Sequence, residues 1–340
     1  MRVDGVRMIK YIGSKRTLIP EILRVIEGLD EVGSVLDLFS GTARVGHALK
    51  GRGFRVTSND NLAFAQTLAR CYVKADRSRI LDEVTEVLDD LQAQPGKPGW
   101  FTETYCHNSR FFQPQNGARV DAMRDRLAGM GLAQDIEAVC LVSIMEAVDR
   151  VDSTCGVQMA YLKSWAPRAH KDMALRVPDF LEGEGAVLGM EASEAARQGR
   201  FALVYLDPPY NQHKYLGNYH IWESLVLWDK PEVYGVACKR VDCRERKSPF
   251  NSKRAFLPAF EEVLDGLEAR YLLVSFSNEG FVDRAEMEEI LGQRGSVKVS
   301  VIDYKRYVGA QIGIHNPAGK KVGEVSHTRN KEFLYLVECR

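Results

Sequence analysis

Asp207-Pro208-Pro209-Tyr210 is the stretch of this chain whose residue types and spacing most directly define a chemistry. Two consecutive prolines hold φ at both positions and remove both backbone donors, so the loop offers carbonyls as acceptors. An ionised Asp207 carboxylate also only accepts. Two acceptors at fixed separation, followed by an aromatic ring, suit an exocyclic amine on a base. The lone pair of such an amine is delocalised into the ring, which makes it a poor nucleophile. Accepting one hydrogen at Asp207 and the other at the Pro208 carbonyl pulls the nitrogen toward sp3 and frees the pair for attack. Tyr210 can stack on the base, worth about 1–3 kcal/mol per stacked base, which offsets part of the cost of extruding it. The plain alternative is a rigid turn after a buried strand.

A second turn, Asp37-Leu38-Phe39-Ser40-Gly41-Thr42-Ala43, also follows an apolar run. It lacks the G-x-G-x-x-G spacing, and no Gly-Lys-Ser/Thr follows, so it is neither a dinucleotide fingerprint nor a phosphate cradle. Asp60 lies nineteen residues beyond Gly41, where a carboxylate could accept from both hydroxyls of a ribose. A nucleoside with a charged amino-acid tail fits this pattern, and S-adenosylmethionine is such a ligand. Taken alone, the loop reads equally well as an ordinary sheet turn.

These residues need a frame that brings them together. Val35-Leu36-Asp37-Leu38-Phe39 reads as a strand, Val45, Ala48 and Leu49 as one helical face, and Arg55-Val56-Thr57-Ser58-Asn59-Asp60 as a second strand. This order opens a doubly wound α/β sheet. The pattern resumes at residues 201–206, which run into Asp207, and at residues 271–276. Residues 297–301 and 332–337 read as a terminal antiparallel ribbon. Between them the character is helical. Ile80, Val84, Val87, Leu88 and Leu91 form one stripe, Ile136, Val139, Cys140, Ser143 and Ile144 another, and no strand alternation is visible. The expected division is a catalytic domain of residues 1–78 and 200–340, with residues 79–199 as a mainly helical insertion. In a doubly wound sheet the first strand and the strand that starts the second half are neighbours, and ligands sit at their carboxyl ends. That topology makes the Gly41 and Asp207 loops one site.

Lys plus Arg and Asp plus Glu number 46 each, so the overall charge does not point to a polyanion, and local patches must be sought instead. No apolar run is long enough for a membrane span, and the first ten residues do not form a signal sequence. Seven scattered cysteines, without the spacing of a zinc site or a disulfide framework, suggest free thiols in a reducing cytoplasm.

With these motifs in order, the sequence resembles the Dam-type DNA adenine-N6 methyltransferases, in the subgroup found in restriction–modification systems such as that of FokI. Tyr11-Ile12-Gly13-Ser14-Lys15 is similar to the family's N-terminal cofactor motif, Asp37 to Thr42 to its glycine-rich loop, and Asp60 to its ribose-binding acid. Ala43 stands where the family commonly has a second glycine. Arg110-Phe111-Phe112, Asn116, Asp121, Arg124, Asn211, Tyr215, Asn218, Glu223 and Lys247-Ser248-Pro249-Phe250 follow the subgroup pattern. The resemblance implies a seven-stranded Rossmann-like methyltransferase sheet with an inserted target-recognition domain. It also implies S-adenosylmethionine as cofactor, held by Tyr11, Gly13, Ser14, Lys15, Asp37, Phe39, Ser40, Gly41, Thr42, Asp60 and Asp207. Asp207, Pro208, Pro209 and Tyr210 become the catalytic residues, and no metal is called for.

Double-stranded DNA is the implied partner, in a bacterial cytoplasm at the nucleoid, and a cognate restriction endonuclease is left open. Residues 239–254 hold seven basic side chains, Lys239, Arg240, Arg244, Arg246, Lys247, Lys253 and Arg254, against Asp242 and Glu245. They read as a mobile loop able to track phosphates, with a solvated surface loop as the alternative. Tyr215, Asn218, Lys305 and Arg306 complete the expected DNA contacts. Cytosine-N4 methylation is the nearest rival, followed by methylation of RNA or of a protein amide, and then by DNA binding without turnover.

Overall fold

Four runs of branched and aromatic residues, each ending at a turn signal, form the parallel centre of the sheet. In the computed structural model, which describes residues 7–305, 314–315, 321–323 and 329–340, they are β1 (Ser34–Asp37), β2 (Arg55–Asn59), β4 (Arg200–Leu206) and β5 (Glu268–Ser277). A short β3 (Ala186–Leu188) lies at the edge beside β2. The terminal strands β6 (Gly295–Lys305) and β7 (Arg329–Cys339) complete a seven-stranded sheet in the order β3-β2-β1-β4-β5-β7-β6. β1 runs parallel to β2 on one side and β4 on the other, with Asp37 opposite both Ser58 and Tyr205. The winding reverses between β1 and β4, and this sets their carboxyl ends side by side. β7 is antiparallel to β5 and β6, so its beginning lies at the carboxyl edge of the parallel strands.

Successive strand residues face opposite sides. Leu203, Tyr205 and Leu273 enter one core, while Val204, Leu206, Leu272 and Val274 enter the other. The second core is closed by the helices Lys253–Gly266 and Arg284–Gly292. Burial on both faces is why these strands read as unbroken apolar runs rather than as alternation.

The helical stretch contains Arg77–Ala93, Pro114–Ala128 and Gln134–Asp149. The expected stripes turn inward: Val84, Val87, Leu88 and Leu91 on the first of these helices, and Ile136, Val139, Cys140, Ser143 and Ile144 on the last, are buried. These helices pack into the same core as Val35 and Leu203, so they thicken one side of the sheet. Within the stretch 79–199, expected to be mainly helical, β3 pairs with β2 from Thr57↔Ala186 to Asn59↔Leu188. Three residues at a sheet edge are too few to show a period in sequence.

Several residues of the subgroup pattern hold this stretch together. Asp121 accepts from the backbone N–H groups of Gly99, Phe101 and Thr102 and from the Thr102 hydroxyl, all within 2.9 Å. Asn116 bridges the Lys171 carbonyl and the Met173 N–H. The Arg124 guanidinium donates to the carbonyls of Leu225 and Val226.

Candidate active site

The loop after β1 is held between its two neighbouring strands. The Leu38 N–H donates to the Tyr205 carbonyl at 3.1 Å, and the Ser40 N–H to the Asn59 carbonyl at 2.9 Å. Gly41 has φ +50°, and a Cβ there would come within 3.2 Å of the Tyr11 hydroxyl oxygen. The position thus needs both the left-handed backbone and the missing side chain. Ala43 also has a left-handed backbone, φ +58°, which costs about 1–2 kcal/mol for a residue with a Cβ. One Asp60 carboxylate oxygen accepts from the Gly41 N–H and the other from the Leu62 N–H, each at 3.0 Å. With about four acceptor sites on a carboxylate, Asp60 retains capacity for a further donor.

Asp207 follows β4 directly, and Lys15, from the N-terminal segment, reaches it. The Lys15 ammonium lies 2.9 Å from Asp207 Oδ1 and 2.7 Å from Glu332 Oε1. Glu332 is at the start of β7, 1% exposed, and also accepts from the Ser275 hydroxyl at 2.6 Å. The Tyr11 ring stacks between two others, with centroids 5.2 Å from Tyr215 and 4.6 Å from Tyr219. The Tyr219 hydroxyl in turn accepts from the Ile12 N–H at 2.5 Å. This aromatic stack fixes the N-terminal segment over the strand ends. Together the elements enclose a cavity of about 250 Å³, lined among others by Tyr11, Ser14, Lys15, Asp37, Ser40, Asp60 and Asp207.

Burial dominates the electrostatics here. It pushes Asp37 up to about 8, aided by Asp207 and Asp60 and opposed by the Gly46 N–H. Asp60 and Asp207 rise to about 6, Asp60 against the pull of its N–H donors and Asp207 against that of Lys15. For Lys15 burial works in the other direction, but Asp207 and Glu332 outweigh it and hold the ammonium well above the usual lysine range. At neutral pH the site therefore carries a protonated Lys15, and both Asp60 and Asp207 are mostly ionised.

A family model described as D12 class N6 adenine-specific DNA methyltransferase matches residues 11–290, from the Tyr11 stack through the Asp207 loop and beyond β5. The chain belongs to this family. It is 30% identical over 322 residues to the type II methyltransferase M.FokI of Planomicrobium okeanokoites, covering 88% of this chain and 49% of that protein. It is 27% identical over 307 residues to M.NlaIII of Neisseria lactamica, covering 87% and 90%. The modification methylase StsI of Streptococcus sanguinis is 26% identical over 326 residues, covering 89% and 49%. The chain thus spans about half the length of the FokI and StsI relatives and nine tenths of the NlaIII relative.

In this D12 class chain, Gly13, Phe39 and Thr42 also line the cavity, as does Pro209, whereas Pro208 is buried and does not line it. Tyr210 lies beside it, its ring 5.5 Å from Phe276 in an edge-on contact. Tyr215, expected on the DNA, instead lines the cavity in the aromatic stack. Asn218 is 2% exposed, and its carbonyl accepts from the Gln158 N–H, so it offers no surface to a phosphate.

The basic stretch divides. Residues 239–254 are not a loose loop: Lys239–Arg240 pairs as a short strand with Val233–Tyr234, and the turns Val241–Arg244 and Pro249–Asn251 lead into the helix Lys253–Gly266. Arg240 is buried, and its guanidinium grips Asp229 twice at 2.7 Å and Asp242 at 3.1 and 3.2 Å. It is a structural ion pair and not a phosphate contact. Arg246 donates to Glu223 at 2.8 Å and to the Asn61 carbonyl, and it lines the cavity. Arg244 lies over the Tyr234 ring at 3.8 Å, Lys239 is half-buried, and Lys247, Lys253 and Arg254 are exposed. Lys305 closes β6, and Arg306 lies outside the described residues.

Sequence reasoning missed Glu332 and Ser275, and Tyr219 entered it only as part of the subgroup pattern beside Asn218. Glu332 and Ser275 are ordinary strand residues and Tyr219 joins two short helices, and the role of each comes from a partner far away in the chain. Met190, Glu191 and Ala192, just after β3, also line the cavity and escaped notice along with that strand.

Proposed function

We propose that this chain transfers a methyl group from S-adenosylmethionine to the N6 amine of an adenine extruded from double-stranded DNA. The observation that carries the proposal is the meeting of Asp207 with the Gly41–Asp60 loop at one cavity. The cavity suits the cofactor: Asp60 has spare acceptor capacity toward a ribose, and the buried Ser40 hydroxyl, on the cavity wall, has no partner among the described residues. Tyr11, Gly13, Ser14, Lys15, Asp37, Phe39, Gly41 and Thr42 would hold the remainder. When bound, S-adenosylmethionine supplies an electrophilic methyl group on a sulfonium.

The chain's own residues prepare the amine. Asp207, with Lys15 on Oδ1, keeps its other oxygen for one amine hydrogen, and the Pro208 carbonyl takes the second. Tyr210 stacks on the extruded base, and the walls exclude water. As nitrogen gains the methyl carbon and the carbon–sulfur bond breaks, the amine's extra proton leaves by way of Asp207 to solvent.

The helical stretch is proposed as the target-recognition element, with Lys247, Lys253 and Arg254 positioning the phosphates. A cognate restriction endonuclease as partner and a place in a bacterial cytoplasm at the nucleoid belong to the same proposal. Among the described residues no helix is long and apolar enough to cross a membrane. The deciding experiment incubates the chain with labelled S-adenosylmethionine and unmethylated plasmid DNA, then digests the DNA to nucleosides. Label in N6-methyladenine is expected. Label only in N4-methylcytosine, or none in DNA, would sink the proposal.

A further inference from the structure

Glu332 raises a question that the amine chemistry leaves open. A buried carboxylate at 1% exposure is costly unless it is paired, yet this one is placed beside a second carboxylate, Asp207, with one ammonium between them. Lys15 Nζ sits 2.7 Å from Glu332 and 2.9 Å from Asp207, so its charge is divided, with the shorter contact going to Glu332. The Ser275 hydroxyl, from β5, fixes the Glu332 oxygen that Lys15 meets. The antiparallel course of β7 is what brings this residue to the carboxyl edge of β4 and β5.

For stability alone, a single Lys–Asp pair would be easier to bury than a triad with net negative charge. The triad does something a simple pair would not. A lysine wholly committed to Asp207 would withdraw charge from both of its oxygens and weaken them as acceptors. A lysine absent altogether would leave the carboxylate free to rotate and to protonate.

We infer that Glu332 is a positioning residue for methyl transfer: it holds Lys15 against one oxygen of Asp207 while drawing off part of its charge, so that the other oxygen stays oriented and basic enough to accept the amine hydrogen. This rests on the reading of Asp207 as the amine's acceptor. The other titratable groups around the triad are Tyr335 on β7, Tyr205 on β4, Tyr210 in the catalytic loop, Asp37 at the end of β1, and Tyr11, Asp60 and Tyr215 across the cavity. None of these lies between Glu332 and Lys15.

The test uses the full chain and its Glu332→Gln and Glu332→Asp variants. Calorimetry gives the cofactor Kd, and initial rates on plasmid DNA from about pH 5 to about pH 9 give kcat and its acid limb. Glu332→Gln is expected to lower kcat by about tenfold or more with Kd and KM for the cofactor almost unchanged. Its acid limb should move to lower pH, because Asp207 loses a negative neighbour and gains the whole of Lys15. Glu332→Asp keeps the buried charge but draws it back from Lys15, so kcat falls while the limb stays closer to its original place. Should the Gln variant not fold, the Asp variant carries the test. A folded variant with the parent kcat and acid limb overturns the inference, as does a loss confined to cofactor Kd. A parent chain that methylates no adenine would instead remove the reading on which it rests.

Discussion

Lys15 holds one oxygen of Asp207, the proposed amine acceptor, and the cavity proposed for the cofactor is walled mostly by other residues. Asp207→Ala is therefore expected to keep cofactor binding within a few-fold and to reduce transfer by about a hundred- to a thousandfold, as for the loss of one preorganised polar contact to a transition state. Calorimetry and single-turnover methylation separate the two, and retained transfer would refute the role. Tyr210 is argued to act by its ring, so Tyr210→Phe should lose little and Tyr210→Ala much. The structure adds a second term to the Ala variant, because that ring also packs edge-on against Phe276. Such a contact is worth about 0.5–1.5 kcal/mol, so a modest fall in urea stability should accompany the loss of rate in Tyr210→Ala and be nearly absent in Tyr210→Phe. Equal rates in the two variants would count against stacking.

At the scale of elements, the site depends on how short helices are anchored. Glu223 is buried and accepts from the Ala63 and Phe64 N–H groups at 3.2 and 3.0 Å, the first free donors of the helix Ala63–Ala69. It thus caps from a distance a helix that has no side-chain cap of its own, and it also holds Arg246 on the cavity wall. Removing all three contacts in Glu223→Ala is expected to cost about 2–4 kcal/mol, read from urea unfolding, and to raise the cofactor Kd through the neighbouring Asp60 loop. A destabilised variant with unchanged Kd would show that the cap does not reach the site. Legibility followed the same division. Glu223 stood out in the sequence only as part of a pattern, and nothing local showed that its partners lie some 160 positions earlier. By contrast, the stripes on Arg77–Ala93 and Gln134–Asp149 were plain, since helical burial repeats within one window of residues.

For the whole molecule, zero net charge leaves DNA affinity to the exposed part of the basic stretch. Lys253→Ala and Arg254→Ala should each weaken binding on every sequence and lower the salt slope by about one. Arg240→Ala should instead destabilise the fold and leave the slope unchanged, because Arg240 is already spent on Asp229 and Asp242. A reduced slope in a folded Arg240→Ala variant would overturn that assignment.

The shared burial of Asp37, Asp60 and Asp207 sets a pH dependence as well. Asp37 is raised to about 8 in the fold, well above its ordinary value. The folded state therefore holds its proton more tightly, and the associated stability is lost as pH rises through about 8. The Tm of the cofactor-free chain should fall from about pH 4, the ordinary carboxylate range, to about pH 8 and change little above it. A cationic sulfonium and ammonium favour the Asp37 carboxylate, so cofactor binding should release a proton and tighten over the same range. Calorimetry in two buffers of different ionisation enthalpy measures that proton, and no release would place Asp37 outside the ligand's field.

By itself the sequence determined the parallel strands that carry the two loops, the helical stretch between and the family to which the chain belongs. Each of these is written in neighbouring residues: a Pro-Pro pair after an acid, apolar runs ending at a turn, a stripe repeating at helical spacing. The tertiary structure decided the rest. It recovered β3, too short to show a period, and it turned β7 so that its first residues reach the active edge. It buried Arg240 and Asn218, put Tyr215 on the cavity wall, and set Glu332 against Lys15 and Asp207. The physical reason is common to all of them. A charge or a ring has its meaning fixed by what it touches and by how much water it keeps, and for these residues the touching partner is remote in the chain.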